Sequence, residues 1–266
     1  MSVDAARRAR YLEALGIDLW VPRVAPARSP AVANVAPSAP PDAVAAPARL
    51  ADPTGPGLVE GLHALAEGAA ADLPVAADWE GLRAQVRACT RCGLHRGRTQ
   101  AVFASGDPAA RWMVVGEAPG ADEDRLGEPF VGRAGQLLNA MLAAIGLPRP
   151  TVFVANMLKC RPPQNRDPRP EELAACRPYL ERQLELLRPT LLLVVGRIAA
   201  QNLLGTEAPL GRLRGRVHAV GGLNLPAIVT YHPAYLLRSP SDKRKAWEDL
   251  KLARRVFGEL ASGKPP

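Results

Sequence analysis

Short apolar runs, rich in valine and leucine, alternate with helix-like runs from about residue 111 onward. Strands are predicted for residues 111–116, 151–158, 191–196 and 227–231, and helices for residues 135–145 and 170–187. Apolar runs that are each followed by a helix are typical of strands buried on both faces. The sequence therefore predicts an α/β fold, a doubly wound four-stranded parallel sheet with helices on both faces. In such folds the functional site lies at the carboxyl ends of the strands.

Composition divides the chain into three parts. Residues 1–21 are predicted to form a short N-terminal helix with a docking motif. Residues 22–78 are predicted to be a disordered Ala/Pro-rich extension, because proline recurs there too often for helix or sheet. Trp79 begins a run with helical spacing that leads into the first cysteine. One folded domain is therefore predicted over residues 79–262, long enough for a hydrophobic core of its own.

The N-terminal run of residues 4–21 contains apolar side chains that have no evident core to join. Tyr11, Leu12 and Leu15 fall on one side of a short helix, which Gly16 is well placed to end. Two interpretations stay open for this run. One is a frayed helix, and the other is a linear motif that docks on a protein partner.

Charge differs between the two ends of the chain. Residues 1–80 carry 6 Lys+Arg and 10 Asp+Glu, a net charge of −4, whereas the remaining residues carry 28 and 16, a net charge of +12. A basic domain attracts phosphate backbones or acidic membranes, or is merely solvated, so charge alone does not select a partner. The first residues lack the apolar core of a signal peptide, and no run reaches the length of a membrane span. We therefore expect a cytoplasmic protein without membrane association.

Four cysteines give a clear local signal. In the cytoplasm, cysteines are more commonly metal ligands or free thiols than disulfides. Cys89 and Cys92 have the spacing of a metal-binding pair, whereas 15 residues separate Cys160 from Cys176, so the fold must bring these two to the pair. Four thiolates suit either zinc or an iron-sulfur cluster, and unrelated thiols are the third alternative.

The first predicted strand runs directly into a loop, Gly-Glu-Ala-Pro-Gly, at residues 116–120. Its glycines let the backbone turn sharply and present N–H groups to a ligand. The loop lacks the Gly-Lys-Ser/Thr ending of a P-loop and the spacing of a dinucleotide fingerprint, which disfavours a nucleotide cofactor. A plain strand-to-helix turn is the alternative when the loop is considered by itself.

Further motifs follow this loop in order. They are Glu-Pro-Phe-Val-Gly-Arg-Ala-Gly-Gln-Leu-Leu at residues 128–138, Asn-Met-Leu-Lys-Cys-Arg-Pro-Pro at 156–163 and His-Pro-Ala-Tyr-Leu-Leu at 232–237. Together with the loop and the cysteines, they closely resemble the family 4 uracil-DNA glycosylases over roughly residues 89–260. The resemblance implies a 4Fe-4S cluster held by Cys89, Cys92, Cys160 and Cys176.

The same resemblance implies a monofunctional enzyme of base-excision repair. Such an enzyme hydrolyses the N-glycosidic bond of deoxyuridine in uracil-containing DNA, releases uracil and leaves an abasic site. We expect it to act as a monomer. Basic side chains around the site, among them Lys159, Arg214, Arg238, Arg244 and Lys245, would contact DNA phosphates.

The matched residues suit the recognition of an extruded uracil. Flipping a base out of the duplex costs a few kcal/mol, and stacking on Phe130 would offset part of that cost. The amide of Asn156 can accept a hydrogen bond from uracil N3–H and donate one to O4, a pattern that cytosine presents reversed. Glu123 is predicted to fill the space that the thymine methyl group would need. Gly116 and Ala118 complete the predicted substrate-binding residues.

The remaining matched residues suit the chemistry. His232 resembles the family's catalytic histidine, which donates a hydrogen bond to uracil O2 as negative charge builds on the leaving base. Other uracil glycosylases place an aspartate in this loop, whereas here Glu117 is followed by Ala118. Glu117 is therefore predicted to hold the attacking water, with backbone groups as the alternative. Leu236, Leu237 and Arg238 would form the wedge that enters the duplex.

Two other functions stay open at this stage. One is a uracil-DNA binding protein that forms a stable or covalent complex without turnover, as a relative of the family does. That relative carries Gln in the loop and a histidine before its Phe-like region, whereas this chain has Ala118 and no histidine between Gly120 and Phe130, which favours turnover. The other is a non-enzymatic, metal-stabilised module that binds nucleic acid.

Overall fold

The structure is a computed structural model that describes residues 76–221 and 224–263. The predicted helix and docking motif at residues 1–21 lie outside the described residues, as does the predicted extension as far as residue 75. In the part that the structure describes, no helix combines the length and the apolar character needed to cross a membrane.

A five-stranded sheet forms the centre of the described part. Its strands are β1 (Trp112–Gly116), β2 (Phe153–Asn156), β3 (Leu191–Val195), β4 (Val217–Val220) and β5 (Leu225–Thr230). The strand order is β2-β1-β3-β5-β4, and all neighbours are parallel except β4, which runs antiparallel to β5. The predicted α/β fold is confirmed, and the four predicted strands are β1, β2, β3 and β5.

The strand β4 was not predicted from the sequence. Of its four residues only Val220 is buried, and Val217 and Ala219 are exposed. An edge strand of this kind lacks the continuous apolar run that marks a strand covered on both faces. The antiparallel strand therefore extends a sheet whose parallel part has the predicted arrangement.

Helices cover both faces of the sheet. The α-helices are α1 (Trp79–Ala88), α2 (Ala121–Leu126), α3 (Arg133–Ala144), α4 (Pro170–Leu187), α5 (Arg197–Leu204), α6 (Leu210–Leu213), α7 (Pro233–Arg238) and α8 (Lys243–Ala261). Short 3-10 helices occur at Gly93–Arg96, Arg149–Thr151, Pro163–Asn165 and Pro240–Asp242. Residues of α1, α4 and α5 belong to one hydrophobic core, and residues of α3, α7 and α8 to a second.

The central strand β1 shows how the sheet separates these two cores. Met113 and Val115 join the core with α1 and α4, whereas Trp112 and Val114 join the core with α3 and α8. Successive side chains of a strand point to opposite faces, so a fully apolar strand feeds both cores. This explains why polar and apolar residues do not alternate along this strand.

The carboxyl ends of the parallel strands lie together at one edge of the sheet. Gly116 at the end of β1 pairs with Asn156 at the end of β2, and Val195 of β3 pairs with Thr230 of β5. The segments that follow β1, β2 and β5 carry the motifs of the predicted site. The topology therefore brings those motifs to the same edge.

Candidate active site

A cavity of about 390 Å³ opens at this edge of the sheet. Seven of the predicted site residues line it: Glu117, Ala118, Glu123, Phe130, Asn156, His232 and Arg238. The volume falls within the roughly 300–1,000 Å³ that is usual for small-molecule pockets. We call this cavity the base pocket.

Gly116 allows an aromatic ring and an amide to meet at the floor of the base pocket. A methyl group at this position would lie 2.5 Å from Asn156 Oδ1 and 2.6 Å from Phe130 Cζ. Both distances are too short for any side chain larger than hydrogen. Glycine at the end of β1 is therefore needed for Phe130 and Asn156 to converge.

The backbone of Phe130 has an unusual conformation. Its φ is +57°, in the left-handed region that a bulky residue adopts only under constraint. A methyl group at Gly135 would lie 1.7 Å from the carbonyl oxygen of Phe130, so α3 can approach this backbone only through a glycine. Strain of this type costs about 1–3 kcal/mol and is found at functional sites. The ring of Phe130 is thereby fixed, with its centroid 5.6 Å from that of His232.

Glu123 supplies another part of that constraint. One of its carboxylate oxygens accepts hydrogen bonds from the N–H groups of Val131 (2.9 Å) and Gly132 (3.0 Å). The other oxygen accepts from the N–H of Gly120 at 3.1 Å. The carboxylate thus ties the glycine-rich loop to the segment that carries Phe130. The sequence predicted Glu123 only as a wall against a methyl group, because nothing in the local pattern indicates these backbone contacts.

Asn156 lines the base pocket and carries an unsatisfied acceptor. The residue is 2% exposed, and its Oδ1 finds no hydrogen-bond donor within the described residues. A buried polar atom without a partner costs roughly 1–3 kcal/mol. A ligand that brings an N–H group to this oxygen removes that penalty, which favours a base with a donor at the matching position.

His232 lies just before α7 and acts as its N-cap. Its Nδ1 accepts a hydrogen bond from the N–H of Ala234 at 3.1 Å. In the neutral ring the proton must therefore be on Nε2. Burial of the ring and the nearby charge of Arg238 lower the pKa of His232 to about 4, against an opposing effect of Glu123. The imidazole is neutral at pH 7 and carries one N–H donor.

Glu117 is half-buried beside the same pocket. Burial and the negative charge of Asp167 raise the pKa of Glu117 to about 7, and the charge of Arg197 opposes this shift. A carboxyl group that titrates near neutral pH in a cleft is suited to accept a proton.

Comparisons with known proteins agree with this geometry. A family model described as the uracil DNA glycosylase superfamily matches residues 103–251. A protein of Archaeoglobus fulgidus named type-4 uracil-DNA glycosylase is 45% identical over 188 residues, which cover 68% of this chain and 92% of that protein. The protein of the same name from Thermotoga maritima is 41% identical over 174 residues, 64% of this chain and 90% of the relative. The chain belongs to the type-4 uracil-DNA glycosylases.

A neighbouring branch of the superfamily is also similar. A type-5 uracil-DNA glycosylase of Thermus thermophilus is 40% identical over 171 residues, which cover 58% of this chain and 74% of that protein. The match spans 92% and 90% of the two type-4 proteins but only 74% of the type-5 protein.

In this type-4 glycosylase, the structure corrects one part of the predicted wedge. Leu236 is 1% exposed and packs in the core with α3 and α8, so it is not available at the surface. Leu237 is 37% exposed and Arg238 is also exposed. Adjacent residues of a helix point in different directions, and a run of two leucines does not show which one faces the core. The predicted wedge is therefore reduced to Leu237 and Arg238.

The four cysteines of the glycosylase lie on one side of the sheet. Cys160 and Cys176 are buried in the core with α1 and α4, and Cys89 and Cys92 pack against that core. The N–H of Lys159 donates to Cys176 Sγ at 3.3 Å, and Arg98 donates to Cys160 Sγ at 3.0 Å. Within the described residues, no group of three or more side chains has the arrangement of a metal site.

Electrostatic interactions nevertheless connect the thiols with one another. Burial raises the pKa of Cys160, the hydrogen bond and charge of Arg98 oppose this shift, and Cys92 and Cys89 make smaller contributions to the increase. Burial also raises the pKa of Cys176 to about 12, with opposing effects of the Lys159 charge and of its backbone N–H, and with smaller increases from Cys160 and Cys89. Four cysteine side chains beside one core, with N–H donors directed at two of the sulfurs, supply the ligand chemistry of a thiolate-bound metal, although the described residues do not show them arranged as a metal site.

Lys159 is buried between the cysteines and the base pocket. It is 1% exposed, and its Nζ donates to the backbone oxygen of Asn156 at 2.7 Å and to Gln183 Oε1 at 2.6 Å. Burial lowers the pKa of Lys159 to about 8, against the opposing charges of Cys176 and Cys160. The sequence prediction of a phosphate contact for Lys159 was wrong, because the side chain points into the protein. Instead it connects the cysteine segment to Asn156.

Proposed function

We propose that this chain hydrolyses the N-glycosidic bond of deoxyuridine in DNA, releasing uracil and leaving an abasic site for base-excision repair. The observation that carries the proposal is the buried, unpartnered Oδ1 of Asn156 in a pocket that Phe130 and His232 also line. The relatives that match most of the folded part are named uracil-DNA glycosylases, which supports the same substrate.

The pocket residues match the edges of uracil one by one. The ring of Phe130 supplies an aromatic face, and stacking of a base on such a face contributes about 1–3 kcal/mol. Asn156 Oδ1 accepts from uracil N3–H, and the amide nitrogen of the same side chain donates to O4. Cytosine has an unprotonated N3 and an amino group at C4, so it would leave these groups unpaired. The pocket thus selects uracil over cytosine by hydrogen bonding.

His232 acts on charge that appears only as the bond breaks. When the bond between C1′ and N1 breaks, its electron pair stays on the base and spreads to O2. The Nε2–H of the neutral imidazole donates a hydrogen bond to this oxygen. The donor is already fixed by the contact between Nδ1 and the N–H of Ala234, so no reorganisation is needed during the reaction. A neutral ring also leaves no positive charge to be buried before the substrate binds.

Glu117 holds the water that adds to C1′, and this role makes the rate dependent on pH. Because the pKa of Glu117 is raised to about 7, the neutral acid predominates below that pH and the carboxylate above it. Only the carboxylate accepts a proton from water, so kcat should rise with pH through about 7 and then level off. Glu117→Gln should lower kcat at pH 8 by about 10-fold or more and flatten the profile.

The profile is measured by single-turnover excision between pH 5 and 9, with Glu207→Gln as a control. Glu207 is exposed and does not line the base pocket, so this variant should retain the wild-type profile. An unchanged profile in Glu117→Gln would assign the pH dependence to another group.

Cys89, Cys92, Cys160 and Cys176 hold a 4Fe-4S cluster in this proposal. The position of all four cysteines in or against one core and the N–H donors at two sulfurs support it. When bound, the cluster supplies iron-thiolate bonds that cross-link three segments of the chain, and no redox step is required for hydrolysis. Lys159 then links this region to the base pocket through the carbonyl of Asn156.

Removing one ligand should release the metal and destabilise the fold. Cys176→Ala detaches α4 from the cluster, so anaerobically purified protein should lose its iron and its absorbance near 400 nm, which arises from thiolate-iron charge transfer. Its Tm should fall by about 10 °C or more, as expected for a loss of several kcal/mol. Ala174→Ser, an exposed change on the same helix, should keep both iron and Tm. Zinc in place of iron in the wild-type protein would contradict the cluster assignment.

The test of the proposed function is an excision assay. Oligonucleotides with U:G pairs, U:A pairs or single-stranded uracil are incubated with the holo-protein and then treated with alkali, which cleaves abasic sites. Strand cleavage at uracil, and none at cytosine or thymine, is expected. Alkali-resistant uracil would overturn the proposal, and an adduct that survives SDS would indicate a protein that binds uracil-DNA without turnover.

A further inference from the structure

A second cavity, of about 700 Å³, lies along α8 and beside the turn that precedes β4. Five cationic side chains line it: Arg214, Arg244, Lys245, Lys251 and Arg255. Two carboxylates, those of Glu248 and Asp249, line it as well. We call this cavity the basic groove.

Both carboxylates of the basic groove are already paired. Asp249 is fully buried, and its two oxygens each accept from Arg214 at 2.9 Å. Glu248 pairs with Lys251 at 2.8 Å. Arg244 and Arg255 are exposed, and neither forms an ion pair within the described residues. The groove therefore presents an excess of positive charge that no internal partner neutralises.

Two tyrosines connect a side chain of the basic groove with the base pocket. The guanidinium group of Arg214 lies 5.2 Å from the centroid of the Tyr231 ring. Tyr231 stacks on Tyr235, with 5.2 Å between the ring centroids and 17° between the planes. Tyr235 lines the base pocket and is 37% exposed. Arg214 of the basic groove therefore lies against Tyr231, which stacks on Tyr235 of the base pocket.

A second set of contacts fixes Tyr235 and leads to another cation of the groove. The hydroxyl of Tyr235 donates to Asp242 at 2.6 Å, and Asp242 pairs with Lys245 of the groove at 2.8 Å. Tyr235 is thus held from both sides, by stacking and by a charged hydrogen bond. A ring that is already fixed loses little conformational freedom when a ligand stacks on it.

Exposed aromatic rings beside a cationic groove are the pattern with which proteins bind unpaired nucleic acid. We propose that the substrate strand leaves the base pocket across Tyr235 and enters the basic groove, which binds the phosphodiester backbone beyond the uracil. The inference rests on the proposed function. Arg244 and Arg255 are separated by about 16 Å along α8, which is long enough for several phosphates of one strand.

The basic groove does not touch the extruded base, so its contribution should appear in binding and not in bond cleavage. Cations that neutralise phosphates release counterions, and each contact adds about one to the slope of log K against log salt concentration. A strand too short to reach the groove gains nothing from it. Dependence on strand length and dependence on salt are therefore its two signatures.

The experiment compares wild type with the double variant Arg244→Gln/Arg255→Gln on single-stranded substrates of about 5 and about 30 nucleotides. The first length is near the lower limit of the site sizes usual for single-strand binding, and the second is well above them. KM on the long substrate should rise about 10-fold or more, with kcat unchanged and the short substrate unaffected. The salt slope for the long strand should fall by about 1 to 2. Arg177→Gln/Arg188→Gln removes the same charge from α4 and its C-cap, outside the groove, and should change neither.

Equal changes on short and long strands, or changes no larger than those of the control, would overturn the inference. Tyr235 gives an independent test. Tyr235→Ala should weaken binding of the long strand about 10-fold, whereas Tyr235→Phe, which keeps the ring, should bind almost normally. Equal binding by both would also count against the inference. A uracil-free oligonucleotide, followed by fluorescence anisotropy, reports on the groove even if the wild type excises no uracil, so the two proposals fail separately.

Discussion

Replacing His232 by alanine is expected to lower kcat for uracil release by about 10²- to 10³-fold. The lost interaction is a hydrogen bond from Nε2–H to the base oxygen on which charge accumulates during bond cleavage. Because that charge is absent from the bound substrate, KM should change little, and kcat and kcat/KM should fall together. The measurement is a single-turnover excision rate on a uracil-containing oligonucleotide at several enzyme concentrations.

The pH dependence of the wild type provides a further check on His232. The pKa of this histidine is lowered to about 4, so the ring stays neutral above pH 5 and should add no inflection near its ordinary value. His218→Ala is the matched control, because His218 lies on the edge strand β4 and does not line the base pocket. A wild-type rate in His232→Ala would show that the imidazole is not the donor.

Asn156→Ala is expected to have the second large effect, on selectivity as well as on rate. Alanine removes both the acceptor for uracil N3–H and the donor for O4. A loss of about 3 kcal/mol for two such bonds lowers kcat/KM for uracil by roughly 10²-fold. Sites built around hydrogen bonds reject mismatched analogues by about 10⁴ to 10⁵, and most of that discrimination against cytosine should disappear.

Competition between uracil- and cytosine-containing strands measures this selectivity directly. Asn139→Ala is a suitable control, because Asn139 is exposed on α3 and outside the base pocket. If Asn156→Ala keeps the wild-type preference for uracil over cytosine, then another group reads the base. Since Oδ1 of Asn156 is unpartnered among the described residues, removing it should not destabilise the free protein.

The fold was predictable because the parallel strands are covered on both faces. Residues 191–195 read Leu-Leu-Leu-Val-Val and are all buried, so the sequence carries the signal without ambiguity. The edge strand Val217–Val220 carries no such signal, since solvent reaches most of it and its antiparallel partner comes from the next segment of the chain. Buried strands were predicted well because burial requires apolar residues. The exposed edge strand was missed because strand pairing alone requires no particular composition.

Most of the base pocket was predicted by motif, and the contacts that support it were not. Phe130, Asn156 and His232 do converge, but the left-handed backbone of Phe130 follows from Gly135 and from distant hydrogen bonds. The burial of Lys159 was missed because a lysine shortly before an arginine and two prolines resembles a solvated loop residue. Leu236 was wrongly included in the wedge, because hydrophobicity does not show which of two adjacent leucines faces the core.

The dual role of Glu123 has a consequence for attempts to redesign the enzyme. Its side chain lines the base pocket, and its two carboxylate oxygens accept hydrogen bonds from the N–H groups of Gly120, Val131 and Gly132. Shortening the side chain of Glu123 to admit a bulkier pyrimidine would also remove the hydrogen bonds that hold the segment next to Phe130. A larger pocket and a well-ordered Phe130 are therefore in conflict at this position. An engineered variant would need a second substitution that replaces the lost hydrogen bonds.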